Sequence, residues 1–162
     1  MQINNPSATF TRPADTTAYA SGDLVANSTT AGSVTPMSFQ LGNSFGPGCF
    51  RLTRARISKS GTSTTNANFR LHLYASSPVP ANGDNGAWST TKAADWLGNI
   101  DVTSMLAFTD GCCGTGSAAA GSELYIRLTA GSIVYGLLEA KAAYTPGNAE
   151  VFTVTLEEVD AF

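Results

Sequence analysis

The sequence predicts an all-β fold: an antiparallel two-sheet sandwich, arranged as a jelly roll of about eight strands. Three observations predict it. Apolar residues recur with a period of two, the intervals between these runs carry Gly, Pro, Asn and Ser, and several intervals are too short for parallel crossovers.

The first expected strand, residues 7–12, ends where Arg12 precedes Pro13, because the residue before a proline is held extended. The second, residues 19–26, contains Gly22 and Asp23, which allow a turn or bulge, and Tyr19 brings apolar area with a hydrogen-bonding tip. A third spans residues 35–41. In the fourth, residues 49–59, the apolar parity changes from even (Phe50, Leu52) to odd (Ala55, Ile57), so a β-bulge is expected near Thr53 and Arg54. Residues 69–75 set Phe69, Leu71, Leu73 and Ala75 on one face and Arg70, His72 and Tyr74 on the other.

Residues 76–110, punctuated by Pro78, Pro80, Gly83 and Gly86, read as an irregular excursion with a helical turn or two at 93–97. Trp88 and Trp96 are expected to cover an open end of the sandwich. Residues 110–117 are Gly-rich but lack the Lys and the strand-to-helix setting of a phosphate cradle, and read as a surface loop. Alternation resumes at Leu124, Ile126 and Leu128, continues through residues 133–143, and closes at Phe152, Val154 and Leu156. Turns are expected at residues 46–48, 61–63, 129–132 and 145–148. One long excursion among about eight strands favours a jelly roll over an immunoglobulin-like sandwich.

A chain of 162 residues with one compositional regime and no internal repeat predicts one sandwich domain, residues 8–162. The polar residues 1–7 read as a flexible N-terminal arm that frays, or orders only on a neighbouring subunit. Only 13% of residues are charged, against about 25% in a typical soluble domain, so Ser, Thr, Ala and Gly dominate the surface. No apolar run approaches the roughly 18 residues of a membrane helix, and the start lacks the basic and apolar regions of a secretory leader. A net charge of -3 and a pI near 4.9 argue against nucleic acid as a partner. Sparse charge protects a free monomer poorly and suits a chain that works attached to something.

The three cysteines, Cys49, Cys112 and Cys113, match no metal-site spacing and read as free thiols made in a reducing cytoplasm; one bridge from Cys49 to Cys112 or Cys113 is the alternative. His72, the one histidine, lies on the outward parity of its strand without a nucleophile motif and reads as a surface or interface imidazole. Asp95 with Asp101 or Glu123 is a conceivable carboxylate pair for glycoside hydrolysis, but twelve acids scattered over the chain always offer such pairs. Glu157, Glu158 and Asp160 read as a solvated acidic terminus. No calcium-loop spacing appears, and no cofactor or catalytic residue is expected.

Four of the nine cations, Arg51, Arg54, Arg56 and Lys59, fall in one expected strand. They read either as a solvated or edge strand that resists wrong pairing, or as a docking surface for an acidic partner.

Residues 8–26, with Phe10-Thr11-Arg12-Pro13-Ala14-Asp15 and Tyr19-Ala20-Ser21-Gly22-Asp23-Leu24-Val25, resemble a recurrent opening among small virion structural proteins of tailed bacteriophages. Those are jelly-roll capsid decoration, or cement, proteins and related components. Pro36-Met37-Ser38-Phe39 extends the resemblance, and the basic strand followed by Phe69-Arg70-Leu71-His72-Leu73-Tyr74 continues it more weakly. The resemblance implies a non-enzymatic virion protein on the outer capsid surface, made in the host bacterial cytoplasm. Its implied partners are the major capsid protein, which it would stabilise in the assembled shell, and further copies of itself as a dimer or trimer. The expected interface comprises Phe10, Arg12, Arg51, Arg54 and Arg56. The alternative is a tail or baseplate sandwich module that binds host-surface glycans, with Trp88 or Trp96 as the sugar platform.

Overall fold

The computed structural model describes residues 3–42, 48–128 and 133–160, and these form a sandwich of two antiparallel sheets. Numbered in chain order, the seven-stranded sheet holds β1 (Ile3–Asn4), β2 (Ser7–Thr11), β5 (Gly48–Lys59), β8 (Leu106–Phe108), β9 (Gly111–Gly116), β10 (Leu124–Leu128) and β12 (Val151–Asp160). The five-stranded sheet holds β3 (Asp23–Val25), β4 (Met37–Gln40), β6 (Phe69–Tyr74), β7 (Trp96–Val102) and β11 (Ile133–Ala140).

The pairing is nested. β1 and β2 share one edge of the last strand, β12; β3 and β4 share one edge of β11; β9 and β10 share one edge of β5; and β6 pairs with β7. Two further ladders, β5 with β12 and β6 with β11, join these pairs into the two sheets.

Period-two alternation delivers the core between the sheets. Leu52, Ala55 and Ile57 of β5, Phe69, Leu71 and Leu73 of β6, and Phe152, Val154 and Leu156 of β12 are all buried in one cluster. Each such Val, Leu, Ile or Phe contributes about 1.5–3 kcal/mol. Phe69 stands edge-on to Phe152 and Tyr144, and Phe10 of β2 lies flat on Phe152 with ring centres 5.5 Å apart. The bulge expected from the parity change is present: Arg54 pairs with Glu157 and Leu52 with Glu158, leaving Thr53 as the extra residue. The Thr53 hydroxyl donates to the Glu157 carbonyl oxygen at 3.0 Å across it.

Several expectations are corrected. Residues 110–117 are not a surface loop, because β9 lies between β5 and β8. Its glycines answer to close packing: a Cβ on Gly116 would meet the Asp101 carbonyl oxygen at 2.0 Å, and one on Gly114 the Ser104 carbonyl oxygen at 2.4 Å. Residues 76–110 include two strands, β7 and β8, besides a 3-10 turn at Ala93–Asp95. The second expected strand shrinks to Asp23–Val25, since Tyr19 turns into the core and donates its backbone N–H to Tyr144 outside either ladder. Twelve strands therefore stand among the described residues where about eight were expected.

Of the N-terminal arm, Ile3 and Asn4 pair with Val159 and Glu158, while Met1 and Gln2 lie outside the described residues. The turn at 129–132 lies outside them too, as do residues 46 and 47 of the turn at 46–48. All three cysteines are free. Cys49 sits opposite Arg127, whereas Cys112 sits opposite Lys59, ten positions along β5, so at about 3.3 Å per residue no bridge spans them.

Candidate functional site

The two outer faces of the sandwich differ in kind. That of the seven-stranded sheet is open. Alternation on β5 turns Arg51, Arg54 and Arg56 outward, and all three are exposed. Arg54 is spoken for: its Nε and Nη2 donate to the two carboxylate oxygens of Glu157 at 2.9 and 2.8 Å. Cross-strand register adds residues that the sequence did not connect with the arginines. Tyr125 lies opposite Arg51 and Arg127 opposite Cys49, both exposed on the same face. At the other end Leu106 pairs with Cys113, which pairs with Ser58, so Leu106 and then Phe108 project from this face too.

Leu106, Phe108 and Tyr125 are 67%, 53% and 64% exposed, unusual for large apolar side chains. A shallow groove of about 350 Å³ runs between Phe108, Cys113, Ser58 and Thr153. The face is thus a hydroxyl-bearing strip with Arg51, Arg127 and Tyr125 at one end, Leu106 and Phe108 at the other, and Arg54 and Arg56 between them. Among the described residues Arg51, Arg56 and Arg127 form no ion pair.

The remaining expected interface residues are placed differently. Arg12 is corrected: it is 2% exposed and bonded inside the molecule, where Nε donates to the Tyr19 hydroxyl at 2.8 Å and Nη2 to Asp84 at 2.9 Å. Burial opposes its charge, yet Tyr19 and Asp84 outweigh it and hold the guanidinium pKa up. Phe10 is half-buried against Phe152. Lys59, the fourth cation of the cluster, is also internal: Nζ donates to Glu150 at 3.2 Å and to the carbonyl oxygens of Gly61 and Ser63. β5 is a central strand, so its cations do not guard an edge. Of the acidic close, Glu157 and Glu158 are not simply solvated, while the side chain of Asp160 lies outside the described residues. Glu157 faces Arg54, and Glu158 is 1% exposed, with the Gly42 N–H donating to its Oε1.

The outer face of the five-stranded sheet is covered by residues 76–95. Backbone bonds from Leu24 N–H to the Gly86 oxygen (2.8 Å) and from Trp88 N–H to the Gly22 oxygen (2.7 Å) lay this segment along β3. Trp88 packs with Leu24, Ala26 and Leu137, so it covers a sheet face and not an end of the sandwich. Its ring stacks on His72 with centres 4.1 Å apart, and His72 is consequently buried, contrary to the surface position expected.

His72 Nε2 lies 2.8 Å from Glu139 Oε2, and Lys141 Nζ donates to Glu139 Oε1 at 2.9 Å. Burial lowers the imidazole pKa, and Glu139 offsets that only in part. Beside them Arg70 grips Asp101 with Nε and Nη2 at 2.6 and 2.8 Å. Asp95 accepts from the Ser76 hydroxyl. The carboxylates weighed for hydrolysis thus have structural partners in Asp95 and Asp101.

A second bulge shapes the mouth of this region. Leu73 pairs with Gly98 and Tyr74 with Trp96, so Leu97 is the extra residue, and Gly98 takes φ +138°. Trp96 is thereby set on the outer face beside Tyr74. A groove of about 390 Å³ results, with Trp88 and Trp96 as its aromatic walls, His72 and Tyr74 at its base, and Ser89, Thr90 and Thr91 along its rim.

No protein-family model matches the sequence, and no curated protein matches it. Among solved structures, the chain aligns over 100% of its length with 83% of a chain in the cryo-EM structure of the giant freshwater prawn Macrobrachium rosenbergii extra small virus VLP, at 10% identity and a TM-score of 0.30. It aligns over 99% of its length with 20% of dimeric latent PorU from Porphyromonas gingivalis, at 10% identity and a TM-score of 0.21. At these scores neither likeness carries a conclusion about this chain.

Proposed function

We propose that this chain is a non-enzymatic virion structural protein of a tailed bacteriophage that decorates the outside of the assembled capsid. The observation that carries the reading is the open outer face of the seven-stranded sheet. Leu106, Phe108 and Tyr125 are left in water there beside Arg51, Arg56 and Arg127, while residues 76–95 cover the opposite face. Exposed apolar side chains together with cations free of internal carboxylates suit a protein partner with acidic and apolar surface. Nested pairing of the strands in the two sheets is compatible with a jelly roll, in keeping with the resemblance of residues 8–41 to phage decoration proteins.

In this reading the major capsid protein is the partner, and adjacent copies of the chain meet as a dimer or trimer at a symmetry axis. Binding only the assembled shell stabilises it by mass action. Quantitative mass spectrometry and cryo-electron microscopy of particles that carry the encoding genome test the proposal. Tens to hundreds of copies on the outer shell are expected, each with the seven-stranded face toward a capsid subunit or a neighbouring copy. Absence from the particle, or confinement to the tail, overturns it.

A further inference from the structure

We propose that the groove on the outer face of the five-stranded sheet binds a neutral saccharide, with Trp96 as the stacking platform and Tyr74 as a hydrogen-bonding group at its base. This inference rests on the groove alone and is independent of the docking face.

Size and lining select the ligand class. About 390 Å³ lies within the range of small-molecule sites, roughly 300–1,000 Å³. Trp88, Trp96, His72 and Tyr74 present rings, while Ser89, Thr90 and Thr91 present hydroxyls, a mixture suited to a ligand with apolar ring faces and polar edges. No cation lines the groove. Arg70 and Lys141 are held by Asp101 and Glu139, and Lys92, though it stands between the lining residues Thr91 and Ala93, does not itself line the groove, so its walls carry no charge for a phosphate or a sugar acid. The hydroxyl rim is equally unsuited to a purely apolar ligand.

Tyr74 supplies the observation that points to an occupant. It is 3% exposed and lines the groove, yet no hydrogen bond to its hydroxyl is made among the described residues. Thr90 Oγ1, in the same lining, is buried with no hydrogen-bond partner among the described residues; polar groups so placed ordinarily find one, and a sugar hydroxyl is one that fits. Trp96, 46% exposed, is held beside it by the register shift opposite Tyr74 and by Asp95, whose carbonyl accepts the Ala75 N–H at 2.8 Å. Trp88 is fixed by its stack on His72, and His72 by Glu139. Rings held this firmly lose little freedom when a ligand stacks on them.

The test uses the full chain on an array of neutral oligosaccharides built from hexoses and N-acetylhexosamines, with sialylated and sulfated glycans alongside. The strongest neutral compound is then titrated while tryptophan fluorescence is followed. We expect saturable binding that Trp96→Ala weakens about tenfold or more, about 1.4 kcal/mol. Tyr74→Phe should weaken it less, and both variants should melt near the parent temperature. Trp96-dependent binding to intact bacterial cells assigns a surface glycan as the source, and binding in the titration alone assigns a free saccharide. A blank array, binding confined to charged glycans, or unchanged affinity in Trp96→Ala overturns the inference.

Discussion

Arg12 and Asp84 meet in a salt bridge of 2.9 Å, with neither side chain reaching water, although 72 positions separate them in the chain. Asp84 also accepts from the Tyr19 hydroxyl at 2.7 Å and the Ala26 N–H at 2.8 Å, so one carboxylate joins the end of β2, the approach to β3 and the segment that carries Trp88. Burial raises the Asp84 pKa in spite of these donors.

Removing the cation leaves that carboxylate uncompensated. Arg12→Met is expected to lower the unfolding free energy by about 3–5 kcal/mol in urea titration. Asp84→Asn should cost less, because Arg12 keeps the Asp15 carbonyl at 2.7 Å and the Asp15 carboxylate at 3.2 Å. Equal losses for the two variants would show that the pair does not act as described.

Gly116→Ala places a methyl group about 2.0 Å from the Asp101 carbonyl oxygen, so β9 and β7 must separate locally. Overpacking of this kind costs roughly 1–3 kcal/mol or more. Gly32→Ala is the control, since a Cβ there meets nothing within 4 Å and should shift stability by no more than about 0.5 kcal/mol. Thermal melts of the two variants side by side check the contrast.

Acidification should destabilise the protein through His72. Its folded pKa lies below the ordinary 6.5, so between the two values the unfolded chain binds more protons, and stability rises with pH across that window. The contribution is complete above about 6.5 and is lost as pH falls through the folded value. Glu139, Arg70 and Lys141 are the charged groups that act on it, and the carboxyl of Glu139, itself held low, titrates in a separate window further down. Melting temperatures from pH 7.5 to 5 should fall for the parent and stay flatter for His72→Gln.

The double variant Arg51→Ala, Arg56→Ala should fold normally, as both side chains are exposed and unpaired among the described residues. Added to undecorated shells, it should associate more slowly and with weaker salt dependence than the parent. Arg54→Ala should matter less, because Glu157 already neutralises that arginine. Unchanged occupancy at several salt concentrations would mark these arginines as a solvated strand face.

Much of the architecture was legible in the chain. Alternation named the inward residues of β5, β6 and β12, and the parity switch between Leu52 and Ala55 located the bulge at Thr53. β9 was not legible: its glycines resemble a loop until the carbonyls of Asp101 and Ser104 are seen where side chains would stand. Of the expected interface, exposed Arg51 and Arg56 were named in advance, whereas Tyr125, Arg127, Leu106 and Phe108 were not joined to them, because register between distant strands leaves no local trace.

Local periodicity, turn chemistry and composition were enough to establish an antiparallel β-sandwich with a sparsely charged surface, since each depends only on residues near one another in the chain. Tertiary structure alone decided which charges stay in water. Arg12 and Lys59 look in sequence like the arginines of the open face, yet they are buried because Asp84 and Glu150, 72 and 91 positions away, meet them inside the fold. Burial of a charge depends on a partner brought by the whole chain, and no local pattern encodes where that partner arrives.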